Sequence, residues 1–422
     1  MIPPHLIPKV LRPLATPSVA LMWGGLSVAS LGDQVCAVVL SWTGAALLGT
    51  NSGYLAATQA MGMLLVALFS GAWADRVEHR RMMILADLLR CATLVMVAAV
   101  WTMAGGPVAW TLFAGAFLLM AGNGLYRPAM QTVVPGIVRR PEDLPATNAL
   151  IDTSERLARL LGPTIVGMAS AAASLTTFVA CAAAGFAVSA SSTWAILKRA
   201  PDRLAAANRP GLIQAVTTGF RALRPQPLLW FMLWVNMVIN GAWFGAFFVG
   251  LPLIVERSGL GTQASGGLAA YGLVMAGYGG ANLLSTLMMG SLGVRGMSGR
   301  MVFRGNYLLG GGIAIMGLVG TLLTGPWLVP LLFLGSAISA IGGPMQDITV
   351  ATMRQIQVPR RDMGAAVRAF MLVNQTGSLI AMLAAPSAFE WIGIAPAVTV
   401  CGLSIIVVGL IGMRRFGSAG TA

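Results

Sequence analysis

Charged side chains are scarce in this chain, at 9% of 422 residues, where a soluble chain carries about a quarter. That deficit excludes a large hydrated surface, and with it a soluble fold of two or three domains. Histidine is nearly missing, with only His5 and His79. Cys/His metal sets and nucleophile–base pairs therefore cannot be assembled, so no enzyme, no metal site and no cofactor is expected. The four cysteines (Cys36, Cys91, Cys181, Cys401) stand alone in separate apolar stretches, which supports neither a CxxC zinc site nor a disulfide framework. Lysine occurs only at Lys9 and Lys198, so a Gly-x-x-x-x-Gly-Lys nucleotide loop is lacking. The alternating ten-residue segments of a strand barrel are lacking too.

What the chain has is apolarity: 57% hydrophobic residues and a mean hydropathy of +0.79. Runs of about 20 apolar residues, each long enough to cross about 30 Å of hydrocarbon as a helix, recur throughout. They predict an all-α membrane protein with spans at 18–47, 53–74, 82–104, 108–131, 146–171 and 174–197, then 228–255, 264–290, 301–323, 327–350, 364–389 and 394–413. The organisation expected is a tail (1–17), a six-helix bundle (18–197), a linker (198–227), a second bundle (228–413) and a short tail (414–422).

The net charge of +14 would suit nucleic acid if its cations clustered on a soluble face. They sit instead in short patches between spans. Alternating the loops from a cytoplasmic tail leaves Arg257 as the only Lys or Arg in an outer loop. Loop cations are retained on the cytoplasmic side, so both termini are expected there, in a cytoplasmic membrane, with lipid and not nucleic acid as the partner. The apolar segment after the N-terminal tail is too long for a signal-peptide core, so the tail is expected to be uncleaved. The linker is either flexible or carries a short amphipathic helix at Leu212–Leu223, with Arg221 and Arg224 at the lipid surface.

The chain repeats itself. Gly71, Arg76 and Arg81 recur as Gly290, Arg295 and Arg300 at an offset of 219, and Val134-Pro135 recurs as Val358-Pro359 at 224. Both pairs keep the same sidedness, which predicts parallel repeats about an axis along the membrane normal.

The run Gly71-Ala72-Trp73-Ala74-Asp75-Arg76-Val77-Glu78-His79-Arg80-Arg81 resembles the loop signature of the major facilitator superfamily, Gly-x-x-x-Asp-Arg-x-Gly-Arg-Arg, with Glu78 in place of the second glycine. Leu31-Gly32-Asp33-Gln34, Tyr126-Arg127-Pro128-Ala129 running to Val134-Pro135, Asn148-Ala149-Leu150, and Ala158-Arg159-Leu160-Leu161-Gly162-Pro163 look like the branch that includes enterobactin and macrolide exporters. The resemblance implies a gate motif of Gly71, Asp75, Arg76, Arg80 and Arg81, in which Asp75 faces the start of the eleventh span near Gly364. Positive-inside anchoring explains the arginines as well. Gly162 and Pro163 would give close helix approach and a kink, which packing alone explains and which the resemblance reads as an antiporter hinge.

Ionisable residues within a span are costly and are functional candidates by default. Asp87 and Arg90, three apart, read as a local pair near the inner face. Asp33 and Arg159 lie about 22 and 20 Å from the inner ends of spans one and five, which are neighbours in the superfamily. They are therefore expected to pair, either as a proton-coupling switch or as a fixed brace between helices. The resemblance also implies a cavity lined by spans one, four, seven and ten. Its candidates are Gln34, Asn123, Tyr126, Arg127, Asn236, Asn240, Trp243, Phe247, Gln346 and Asp347; interhelical packing accounts for any one of them equally well. Apolar walls with a few amides and aromatics suit an amphipathic organic molecule. The function expected is export of such a molecule by proton antiport, from a monomer. Import on the same scaffold is the rival, and a non-transporting receptor the more distant one.

Overall fold

The computed structural model describes residues 12–74, 78–138, 140, 143–199, 212–258, 264–292, 298–359 and 362–418. Among them every regular element is helical, and no strand occurs. The helices are α1 (Pro17–Leu48), α2 (Ser52–Ala74), α3 (His79–Ala104), α4 (Ala109–Ile137), α5 (Leu144–Ala169), α6 (Leu175–Arg199) and α7 (Leu212–Leu223). There follow α8 (Pro227–Phe244), a π-helical segment (Gly245–Gly250), α9 (Leu251–Arg257), α10 (Ala264–Leu292), α11 (Gly299–Leu322), α12 (Leu328–Gln357), α13 (Met363–Ile392) and α14 (Ile394–Phe416). With α8, the π segment and α9 forming one continuous rod, Pro227–Arg257, the spans number twelve.

The π segment has a local cause. Pro252 lacks an N–H, and its ring would clash with the carbonyl of Phe248 in a regular α-turn. A widened turn just before it relieves the clash.

Nine stretches of described helix are long and apolar enough to cross a membrane. Helix α5 is not among them, because Asp152, Glu155, Arg156 and Arg159 recur on it at i, i+3, i+4 and i+7. That spacing confines the charges to one face, leaving the rest apolar.

The chain forms two compact units, Met1–Leu40 with Met61–Asn208 and Ser41–Ala60 with Arg209–Ala422. The second unit thus takes in the turn between α1 and α2. There Trp42 stacks on Tyr271 at 6.4 Å between ring centres, and a Cβ on Gly53 would lie 2.8 Å from Pro386.

Within the units the repeat is visible in packing. In the first, α3 lies against α4 and α6; in the second, α11 lies against α12 and α14. A Cβ on Gly122 would meet the Ala86 carbonyl oxygen and Arg90, and one on Gly342 would meet the Gly305 carbonyl oxygen and Leu309. Gly122 and Gly342 are 220 residues apart, and Ala86 and Gly305 are 219 apart. The structural register therefore follows the glycine–arginine repeat and not the Val-Pro pair at 224. Pro135 lies inside α4, whereas Pro359 follows the end of α12, so these two prolines are not equivalent.

Small residues are required at such crossings. In Gly342→Ala the new carbon would sit 2.2 Å from the Gly305 carbonyl oxygen, an overlap that backbone must move to relieve, at about 1–3 kcal/mol or more. The thermal midpoint of the purified protein is expected to fall by several degrees. Gly311→Ala, which meets open space, is expected to leave it unchanged or raise it slightly. Equal effects from the two would show that this crossing is not close-packed.

Candidate functional site

The first unit holds a cluster of charges in its interior. Arg90, on α3, has a side chain only 2% exposed, and Asp87, one turn before it, is fully buried. The two form an ion pair across that turn, at the helical spacing that brings i and i+3 together. The other edge of the guanidinium reaches Asp33 on α1 at 3.4 Å. The guanidinium also lies over two aromatic rings, Phe186 of α6 at 4.4 Å and Tyr126 of α4 at 4.8 Å from the ring centres. A guanidinium that meets two rings and bonds carboxylates at both ends is restricted in orientation. One cation is shared by two carboxylates, so the cluster carries an excess negative charge unless one of them holds a proton.

The field at Asp33 comes first from Arg90 and next from Arg127 and Glu155. These last two form their own pair at 3.1 Å, joining α4 to α5. Asp87 is sealed, Asp33 is 28% exposed, Glu155 18% and Arg127 45%. The ionisable groups of this unit thus range from a dry interior to its surface.

Asp33 does not pair with Arg159. Gln34 meets α5, where a Cβ on Gly162 would lie 2.5 Å from the Gln34 Cβ, and two turns earlier on the same face the Ser27 hydroxyl bonds Ser154 of α5 at 3.0 Å. One position round the helix, about 100° away, Asp33 looks toward α3. Arg159 is exposed on the charged face of α5, and the carboxylate in its field is Asp152. The proximity of spans one and five was implied by the family resemblance; the rotation of α1 was not. Asp87 and Arg90 do pair, but in the interior. Helix α3 begins at His79, which puts Arg90 eleven residues inside it, about 16 Å along the axis. Phe186 and Ser189 of α6, which flank the pair, carry no sequence signal, since an aromatic and a serine in an apolar span look like packing.

Of the gate residues, Asp75 and Arg76 lie outside the described residues, and Gly71 falls in the last turns of α2. Arg80 is buried at 3% exposure, its Nε and Nη1 without a partner among the described residues. Arg81 is exposed and pairs with Glu78 at 2.8 Å. Helix α5 runs unbroken through Pro163.

The second unit offers amides and rings in place of charges. The side-chain amide of buried Gln346, on α12, donates to the Asn236 carbonyl oxygen on α8 at 2.8 Å and reaches exposed Asp347 at 3.3 Å. Asn240 donates back to the Asn236 main-chain carbonyl at 3.0 Å. One turn further, Trp243 packs against Phe244, Phe247, Phe248 and Tyr278 at 4.9–5.8 Å between ring centres. Its indole N–H is buried with no acceptor among the described residues. Asn123, on α4, is half-buried. In the repeat register, Asn306 and Leu309 stand where the first unit has Asp87 and Arg90. The ion cluster is therefore not duplicated.

Twelve long helices in two repeats, nine described stretches of them long and apolar enough to cross a membrane, define a multi-pass membrane protein of the transporter type. The chain belongs to the Major Facilitator Superfamily, whose sequence profile matches residues 22–382. No curated protein matches it significantly. Similar solved structures include a POT family transporter in complex with a thioalcohol-conjugated peptide, 15% identical, with a TM-score of 0.69 over 93% of this chain and 94% of that one. A bacterial homologue of the iron transporter ferroportin, in an inward-facing state, is 14% identical with a TM-score of 0.69 over 94% and 99%. The nucleoside transporter NupG is 11% identical with a TM-score of 0.70 over 93% and 99%. At these identities the likeness is one of fold.

Proposed function

We propose that the protein exports an amphipathic organic molecule across the cytoplasmic membrane by proton antiport, working as a monomer with both termini in the cytoplasm. The observation that carries this reading is the buried Asp33–Arg90–Asp87 cluster, in which two carboxylates compete for one guanidinium. Protonating Asp33 frees that edge of Arg90, and deprotonation restores the pair. The change in local charge is what a helix rearrangement needs in order to respond to a proton. The Glu155–Arg127 pair supplies a route toward the exposed surface, and Arg159 with the charged face of α5 keeps that route hydrated. Asn236, Asn240, Trp243, Phe247, Gln346 and Asp347 act as the solute-recognising groups. Gly71, Asp75, Arg76, Arg80 and Arg81 act as the inner gate, and Gly162 with Pro163 as the hinge.

The energetics suffice. One charge crossing about 100 mV releases roughly 2.3 kcal/mol, enough at about 1.4 kcal/mol per tenfold to hold a roughly fortyfold gradient. Export over import rests on the likeness of the Leu31–Gln34, Tyr126–Ala129 and Ala158–Pro163 stretches to enterobactin and macrolide exporters.

The test is accumulation of a panel of amphipathic antibiotics, dyes and siderophores in efflux-deficient cells expressing the protein, with and without a protonophore. Lower accumulation that the protonophore abolishes is the expected result. Higher accumulation would replace export by import, and no change across the panel would remove the assignment.

A further inference from the structure

The segment joining the two sets of six spans carries a helix that is docked. Gly219 of α7 lies against α13 so closely that a Cβ there would sit 2.2 Å from the Ala365 carbonyl oxygen and 3.0 Å from the Ala369 Cβ. Leu223, one turn on, is fully buried. Gly219 and Leu223 thus form the inward stripe of α7, while Thr217, Arg221 and Arg224, at i, i+4 and i+7, form an exposed one. No carboxylate pairs with Arg221 or Arg224 among the described residues.

Beside this cationic stripe stands an aromatic trio. Phe220 stacks on Trp234 at 5.9 Å and meets Trp230 edge-on at 6.2 Å. Trp230 and Trp234, one turn apart on α8, meet at 5.8 Å. Trp234 remains 47% exposed, in the first two turns of a membrane-spanning helix. Helix α7 abuts the starts of two spans, α8 and α13, so it lies at the level where hydrocarbon gives way to headgroups. Tryptophan favours that depth, and arginine favours phosphate.

We propose that the exposed face of α7, with Trp230 and Trp234, is a binding site for the headgroup of an anionic phospholipid. Arg221 and Arg224 hold the phosphate, and the aromatic trio covers the glycerol and upper acyl chain. A lipid is the occupant because the site lies on the ends of membrane spans and unites two guanidinium groups, unpaired among the described residues, with half-exposed indole. A free phosphate would use the arginines and leave the rings idle. Because α7 is pinned to α13 through Gly219, an occupied site would hold the linker against the start of that span.

The experiment is a titration of the detergent-purified full chain with phosphatidylglycerol and with phosphatidylcholine, counting bound lipids by native mass spectrometry. Phosphatidylglycerol is expected to bind first. In Arg221→Gln/Arg224→Gln its affinity at the tightest site is expected to fall about thirtyfold, with phosphatidylcholine binding unchanged. Arg221→Lys/Arg224→Lys, which keeps charge but loses the planar fork, should retain part of it, and Trp230→Phe/Trp234→Phe should weaken both lipids. Both arginines are exposed, so an unchanged thermal midpoint is expected to confirm the fold of the variants. Equal binding of the two lipids by the natural chain, or full phosphatidylglycerol affinity in the glutamine variant, would overturn the proposal. The readout is lipid binding and not flux, so it stands apart from the fate of the exporter reading.

Discussion

Replacing Arg90 with leucine is expected to lower the thermal midpoint of the purified protein by roughly 5–15 °C and to abolish transport. Among the described residues Arg90 is the only cation touching both Asp33 and Asp87, and its side chain is 2% exposed. Leucine fills much of the volume between Phe186 and Tyr126 but leaves two carboxylates in a low-dielectric interior. Breaking a buried ion pair from one side costs about 3–5 kcal/mol, and for a chain of this length each kcal/mol moves the midpoint by roughly 2–4 °C or less. Much of that cost is an orphaned charge and not lost packing. Removing one carboxylate as well, in Asp87→Asn/Arg90→Leu, is therefore expected to recover part of the loss. If the double variant is as unstable as the sum of the two single ones, the groups are not energetically coupled, and the cluster is three separate residues and not a unit.

The second large effect separates stability from coupling. Asp33→Asn leaves the Asp87–Arg90 pair intact, so the protein is expected to fold with little loss. The groups that remain can no longer switch Arg90 between two carboxylates. In proteoliposomes with an imposed proton gradient, uphill movement of a solute identified by the accumulation panel is expected to fall at least tenfold. Exchange of the same solute down its own gradient should persist. A variant that still concentrates solute against its gradient would dismiss Asp33 as the coupling group. One that loses downhill exchange as well would place Asp33 in solute binding or in the scaffold. The absence of counterparts in the second unit, where Asn306 and Leu309 take the positions of Asp87 and Arg90, sharpens this expectation, because no other described cluster of the same kind could substitute.

The two units divide their chemistry in a way that agrees with this scheme. The first concentrates titratable groups around one arginine. The second presents amides that bond to one another, Asn236 with Gln346 at 2.8 Å, and a cluster of aromatic rings around Trp243. Under the proposed function, these hydrogen-bonding and aromatic groups, with the one carboxylate Asp347, would recognise the organic solute.

Much of this protein was written in its sequence, for a reason that belongs to membranes. With no water to satisfy backbone groups in the hydrocarbon, a spanning segment must be a helix of about 20 apolar residues. The number and approximate positions of the spans could therefore be read from composition. The helix at Leu212–Leu223, which the sequence left open against a flexible linker, could not, nor could the inner ends of α4 and α12, which run six and seven residues past the expected limits. The repeat was legible in the glycine and arginines of the loop, Gly71, Arg76 and Arg81 with Gly290, Arg295 and Arg300, but not in the Val-Pro pair, whose prolines proved not equivalent. What sequence could not supply was the rotation of each helix about its own axis. A period of 3.6 residues says that Asp33 and Gln34 face directions 100° apart, and not which of them meets α5. That depends on where small residues let neighbours approach: Gly162 draws α5 onto Gln34, while Gly32 brings α1 within contact of Ala182 on α6. These contacts turned Asp33 away from Arg159 and toward Arg90. They made an apparently local pair, Asp87 with Arg90, the centre of the site. Sequence determined which charges entered the membrane. Tertiary packing decided which of them met, because partner choice among buried ions is set by ångström-scale distances that helical period alone does not specify.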